Sequence, residues 1–321
     1  MIMKNVLQEI KKHVKHGKYV LAVSGGRDSI ALANACVELK SSDSGYEFLV
    51  VHVEHGLRDE ESYRDAKFVE KFCYNCKLPF QLKHVNVLER VKKYGESIEE
   101  AARKLRYDIL FAVANEYGAN RVITAHHAND QAETVLLRLI RGAGSKGLGA
   151  MHIDNGSVLR PLLGCTREEI ECYCKNNNLQ WVDDSSNENV EFSRNFLRKE
   201  VFPLLKKLNP NVVNVLCQAA GHLQEDEDCL TGLANEYFDK MVKGNDLSVM
   251  EWEKIPLAIR KRVLRQWLLQ FDCELSAVHI DAVDKMVLTG TSRKELALPG
   301  LTIRYAYHKL YVEKNKQHIR S

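Results

Sequence analysis

The apolar run Tyr19–Val23 passes without a spacer into Ser24-Gly25-Gly26-Arg27-Asp28-Ser29, and Ile30, Ala31, Leu32 and Ala33 then open a helical pattern. A strand that turns on two glycines straight into a helix is the context an anion site needs. Glycine lets the backbone approach a phosphate, the N–H groups of the loop and first helical turn point at it, and the helix dipole favours negative charge. Ser24 and Ser29 add hydroxyl donors, and Asp28 offers a carboxylate to the magnesium ion that accompanies a nucleotide. A bare Gly-Gly would read as a tight turn; this longer specified run, set between a strand and a helix, reads as a phosphate loop. It is not a Walker A motif, because no G-x-x-x-x-G-K-[ST] occurs in the chain, and it does not match the dinucleotide fingerprint G-x-G-x-x-G.

The same alternation of short apolar runs and helical patterns continues through the first half, predicting an α/β fold on a parallel sheet. Further strands are expected at Phe48–Val53, Phe80–Val85 and Arg121–Thr124, with a fifth at Ser157–Arg160. Ser97 with Glu100 caps a helix running through Ala101, Leu105, Ile109, Ala112 and Val113, and Thr166 with Glu169 repeats the arrangement. After Asn209 helical segments dominate, notably Leu257–Leu269 with Arg260, Lys261, Arg262 and Arg265 interleaved, and Pro299-Gly300 marks a terminal hairpin within Lys294–Glu313. A chain of 321 residues exceeds what one core usually supports. The expected division is therefore 1–208 for the α/β domain and 209–321 for a smaller, mainly helical domain with the hairpin.

Composition excludes more than it assigns. An excess of +3 charges does not announce a nucleic-acid binder, so any RNA surface must come from local clustering. Residues 1–18 are dense in Lys and His and lack a signal-peptide core, and no apolar stretch approaches the roughly 18 residues that span a bilayer. Nine cysteines in a chain this long do not make the dense paired framework of small secreted domains. A soluble, cytoplasmic protein without membrane contact is expected.

The Ser24–Ser29 loop resembles that of the PP-loop ATP pyrophosphatases (adenine nucleotide alpha hydrolase-like), which split ATP between the α and β phosphates and leave an acceptor oxygen adenylated. Three further segments resemble the tRNA(Ile)-lysidine synthetases within that group. They are His52–Arg58; Thr124–Thr134 continuing through Leu136–Gly144; and Arg160–Leu163 with Asp184–Asn187 and Ser193–Arg198. With Arg103–Tyr107 they cover most of residues 20–205. Glu54 stands where many relatives have Asn, and Asn129 where many have Asp. The chain also stops where longer relatives carry another carboxy-terminal domain, so a short form is expected. The resemblance implies ATP and Mg2+ as cofactors, free L-lysine and a tRNA(Ile) with a CAU anticodon as partners, and lysidine, AMP and pyrophosphate as products. Oligomeric state is left open, a homodimer included.

Asp130 and Glu133 lie three apart at the start of a predicted helix, which puts both carboxylates on one face near its positive end. Such a pair suits an ammonium group, and the resemblance assigns it to lysine; a solvated surface pair is the plainer alternative. Lysine must lose a proton before it attacks. His127 is the candidate helper, with His126 next; an α-phosphate contact or a bonded core histidine is the alternative reading of either. Which residue deprotonates lysine stays open. A metal site from His126, His127, Asp130 and Glu133 is disfavoured because adjacent histidines seldom converge on one ion. The resemblance further implies Arg106 and Arg194 as cations for the developing phosphate charge, with His52 and His55 beside ATP. Arg138, Arg141, Lys146 and Arg198 are expected at the tRNA, as is the basic stretch Arg260–Arg265; a charge run is otherwise a solvated face.

The nearest rival is a PP-loop tRNA thiolase such as a 2-thiocytidine synthase, because Cys73 and Cys76 form a C-x-x-C and Cys172 and Cys174 lie close together. Their place on an apolar helix face beside Phe68, Val69 and Phe72 favours buried small side chains instead. A non-catalytic nucleotide or RNA binding module is a third reading. Lysine-dependent pyrophosphate release separates the three.

Overall fold

The computed structural model describes residues 5–56, 59–182, 193–271, 276–290 and 294–314. The chain divides into two compact units, Met1–Leu223 and Gln224–Ser321.

The first unit is built on five parallel strands, β1 (Gly17–Ala22), β2 (Tyr46–Glu54), β3 (Phe80–His84), β4 (Arg121–Ile123) and β5 (Val158–Leu159), in the order β3-β2-β1-β4-β5. The four expected strands are present within a few residues, and the fifth is cut to two. β1 pairs on both edges and is covered on both faces. Tyr19 and Leu21 pack with residues of α1 (Val6–His13), α2 (Arg27–Ser42) and α8 (Arg167–Asn176), while Val20 packs with Leu110 and Val113 of α5 (Ile98–Tyr117). Burying each such aliphatic side chain stabilises the fold by about 1.5–3 kcal/mol. A strand covered on both sides must be apolar throughout, which is why it reads as an unbroken run.

The Thr166 capping box is complete, whereas at Ser97 only the serine half forms and the Glu100 carboxylate pairs with Lys104 instead. Ser97 Oγ accepts the Glu100 N–H at 3.2 Å; Thr166 Oγ1 accepts from Glu169 N–H at 3.3 Å while Glu169 Oε2 accepts from Thr166 N–H at 2.8 Å. The chain lays β2 and β3 on one side of β1 and then β4 and β5 on the other. The order therefore reverses between β1 and β4, and the crevice at their carboxyl ends is where sheets of this kind hold ligands. Among the described residues no helix is long and apolar enough to cross a membrane.

The second unit packs α12 (Leu257–Leu269) and α13 (Ala277–Leu288) with an antiparallel sheet in the order β6-β7-β10-β9-β8. The expected hairpin is real, β8 (Lys294–Leu298) and β9 (Leu301–Ala306) about Pro299-Gly300, but it belongs to a larger sheet. That sheet continues through β10 (Lys309–Lys314) to β7 (Asp246–Ser248) and β6 (Val242–Lys243), strands too short to show alternation. The expected basic helix is corrected here. Arg260 is buried and forks onto Asp284, with Nε to Oδ1 at 2.8 Å and Nη2 to Oδ2 at 3.0 Å, and Trp252 Nε1–H donates to the same Asp284 at 2.8 Å. Lys261 pairs with Asp281 and Arg262 with Glu227. Arg265 alone of the four stays exposed without such a partner among the described residues.

Candidate active site

The glycine turn is held from both sides. Gly25 has φ +94°, a conformation side chains rarely adopt, and a Cβ there would lie 3.3 Å from Val69 Cγ2. Its carbonyl accepts from Val182 N–H at 3.0 Å. Ser29 Oγ donates to Gly26 C=O at 2.8 Å and accepts from Ser24 N–H at 3.2 Å, so these hydroxyls shape the loop as well as lining it. Gly26 caps α2 with no side chain, leaving the first N–H groups of that helix for an incoming anion.

Asp28 follows on the first turn. Its Oδ1 accepts from Arg27 Nε at 3.0 Å and Nη2 at 2.9 Å, and its Oδ2 lies 3.4 Å from His127 Nε2. Burial opposes ionisation, but His127 and Arg27 outweigh it and hold the carboxyl down to about 2. His127 in turn caps α6 (Ala128–Ile140). Its Nδ1 accepts from Asp130 N–H at 3.4 Å, and its own N–H donates to Asp130 Oδ2 at 3.0 Å. With Nδ1 accepting, the neutral ring carries its proton on Nε2, toward Asp28. Burial alone would lower the His127 pKa; the carboxylates of Asp130, Asp28 and Glu133 raise it instead.

Asp130 and Glu133 converge on one cation. Arg198 Nη2 donates to Asp130 Oδ1 at 2.9 Å, and Arg198 Nε donates to Glu133 Oε1. Arg198 sits in a π-helical turn, Leu197–Val201, that follows the short helix α9 (Ser193–Phe196). Glu133 is 1% exposed, its Oε2 has no hydrogen-bond partner among the described residues, and burial raises its pKa even against Arg198.

The phosphate turn, Asp130 and Arg198 open on one cleft of about 630 Å³ at the carboxyl ends of β1, β2 and β4, while His127 and Glu133 are buried and do not line it. Ser24, Gly26, Arg27, Asp28 and Ser29 form one part of its wall, and His126, Asp130 and Arg198 another. His52, His55 and Arg106 line it as well. His52 Nδ1–H donates to Val23 C=O at 2.9 Å, which leaves Nε2 as an acceptor. His55 Nδ1 and Arg106 Nε are buried without partners among the described residues, donors or acceptors of the kind a polar ligand satisfies. Burial, then Arg106, lowers the His55 pKa; His126, its Nδ1 2.8 Å from Thr124 Oγ1, is held down to about 3 by burial and is neutral.

Other expected residues lie elsewhere. Arg194 is outside the cleft lining but close enough in charge to act on Arg106 and Glu133. Arg138 Nη1 donates to the carbonyls of Gly147 at 2.6 Å and Ala150 at 3.2 Å, whereas Arg141 and Lys146 are exposed. Leu57, Arg58 and Asp184–Asn187 fall outside the described residues. The two departures are absorbed: Glu54 accepts from Gly56 N–H and His84, and Asn129 Oδ1 accepts from Arg167 N–H at 2.9 Å. Trp181, Asp65 and Arg167 also line the cleft, and sequence reasoning does not single them out. Trp181 and Val182 lie upstream of the quoted Asp184–Asn187 segment with one residue between, the signal that could have found them.

Among the described residues no group of three or more His, Cys, Asp or Glu side chains could hold a metal ion. Magnesium needs none: one carboxylate such as Asp28, with ligand phosphates and water, is its usual shell. Cys73 is buried in the core with its thiol pushed up to about 12, and the described cysteines are free.

A glycine turn without a Walker lysine, at the switch point of this sheet, is what defines a PP-loop protein, and residues 1–205 match the PP-loop domain while 247–311 match a TilS substrate binding domain. A tRNA(Ile)-lysidine synthase of Geobacter sulfurreducens is 37% identical over 92% of this chain and 66% of its own length; those of Bacillus cereus and Clostridioides difficile are each 34% identical, over 94% and 93% of this chain and 67% of their own. The chain belongs to the tRNA(Ile)-lysidine synthase family. It spans about two thirds of the length of these curated relatives. Among solved structures a U34-tRNA thiolase from Methanococcus maripaludis shares the fold, with a TM-score of 0.59 and 18% identity over 68% of this chain and 78% of that one.

Proposed function

We propose that the chain ligates free L-lysine to carbon 2 of the wobble cytidine of tRNA(Ile) bearing a CAU anticodon, using ATP. In the first step cytidine O2 attacks the α-phosphorus and pyrophosphate leaves. In the second the lysine side-chain nitrogen attacks C2, the C2–O bond breaks, and AMP departs. The observation that carries this reading is the seat formed by Asp130 and Glu133: two carboxylates together accept one guanidinium, and of the three Asp130 and Arg198 line the same cleft as the phosphate turn while Glu133 is buried.

The turn and the amino end of α2 bind the triphosphate, and Arg106 faces the charge that develops on it. Asp28 would hold a magnesium ion, which would supply neutralisation of charge at the phosphate oxygens. Lysine takes the place of Arg198 between Asp130 and Glu133, and the unpartnered Glu133 Oε2 receives the ammonium proton. Its raised pKa makes it the better base, because both nitrogens of His127 are committed. Arg141 and Lys146 meet the RNA backbone, with Arg194 nearer the reacting nucleotide. The second unit, with residues beyond about 209, reads tRNA features outside the anticodon. The buried, protonated Cys73 gives the thiolase reading no nucleophile.

Incubation with ATP, magnesium, labelled lysine and transcripts of tRNA(Ile) and tRNA(Met) tests the proposal. Covalent label on the isoleucine transcript alone is expected; no label, or equal label on both, refutes it.

A further inference from the structure

We infer that Arg27 is a stand-in cation for Asp28, which a divalent ion displaces onto Glu171 as nucleotide binds. The inference rests on the nucleotide-binding reading above and assigns a task to the one unspecified position of the phosphate loop.

Both oxygens of Asp28 are engaged. Oδ1 takes two donors of the Arg27 fork at 3.0 and 2.9 Å, and Oδ2 faces His127 at 3.4 Å. Arg27 is only 13% exposed and lines the cleft, so its guanidinium is held there rather than hydrated. Magnesium takes oxygen ligands at about 2.1 Å, and an ion on Oδ1 competes with two N–H donors for that oxygen and sets its charge against the Arg27 guanidinium. The ion therefore weakens the Arg27–Asp28 pair and favours release of the guanidinium. A second carboxylate is already waiting: Glu171 Oε2 lies 3.6 Å from Arg27 Nη1, while its other oxygen holds Lys175 at 2.7 Å. The guanidinium thus lies between two acids and needs only to shift from one to the other. The exchange keeps Asp28 compensated in the empty cleft and leaves the displaced positive charge beside the phosphate turn.

The probe is Mn2+, titrated by electron paramagnetic resonance into protein saturated with α,β-methylene ATP, with an Asp28→Asn control. Arg27→Met should bind Mn2+ more tightly than the parent by roughly tenfold, the size of one charge-assisted pair removed from competition. Arg27→Gln should do the same. Glu171→Gln should weaken Mn2+ binding in the parent and have no further effect in the Arg27→Met background. Equal or weaker binding in both Arg27 variants, or a Glu171 effect of the same size in both backgrounds, overturns the inference while leaving the nucleotide site intact. A parent protein with no analogue-dependent Mn2+ site overturns the nucleotide reading itself, and this inference with it.

Discussion

His127 Nε2 lies 3.4 Å from Asp28 Oδ2 while His127 Nδ1 caps α6 through the Asp130 N–H, so one imidazole ties the phosphate turn to the helix that carries Asp130 and Glu133. Placing the two half-sites this way fixes their spacing without a loop between them. The adjacent His126 does the opposite electrically, staying neutral where His127 is drawn toward the charged form.

The paired histidines set a pH dependence of stability. His126 is depressed to about 3 by burial, so an unfolded chain binds a proton there between about 6.5 and 3 that the folded chain does not. Stability therefore falls as pH drops through that window. The raised pKa of His127 contributes stability that is fully present below about 6.5 and is lost as pH rises through its folded value. Thermal melts of His126→Asn should show a shallower acid-side loss than the parent, and melts of His127→Asn should lose the low-pH contribution while keeping the helix cap. A steeper acid limb in His126→Asn would contradict the assignment.

Arg138 and its exposed neighbours should separate cleanly. Arg138→Ala removes donors to the Gly147 and Ala150 carbonyls and should cost about 1–3 kcal/mol in urea unfolding. Arg141→Ala and Lys146→Ala should leave the unfolding midpoint in place but weaken tRNA binding, each lowering the slope of log affinity against log salt by about 1.

In the second unit Arg260 is a core residue. Arg260→Ala strands Asp284 without its buried partner and should destabilise by about 3–5 kcal/mol. Arg265→Ala should not move the denaturation curve. A well-folded Arg260→Ala protein with selectively impaired tRNA binding would return that arginine to the RNA surface.

The parallel strands were legible because β1 and β2 are buried on both faces and must be apolar, and the glycine turn because its backbone geometry leaves few residue choices. Ser97 and Thr166 announced their helices through capping chemistry that is local in sequence. What could not be read was pairing at a distance. Nothing near Arg198 says that it reaches back to Asp130 and Glu133, nothing in Leu257–Leu269 says that Arg260 turns inward to Asp284, and Arg138 looks like any exposed cation until the carbonyls of 147 and 150 fold over it. β6 and β7 escaped notice because two or three residues cannot display a period.

The proposed reaction assigns nucleotide activation and amine attack to separate carboxylates, Asp28 in the cleft lining and the buried Glu133 of α6. It is tested by measuring, on the same tRNA(Ile) transcript, the exchange of labelled pyrophosphate into ATP and the incorporation of labelled lysine for Asp28→Asn and Glu133→Gln. Asp28→Asn should lose both, whereas Glu133→Gln should keep pyrophosphate exchange and lose lysine incorporation by roughly a hundredfold. Full lysine incorporation by Glu133→Gln, or undiminished exchange by Asp28→Asn, would contradict it.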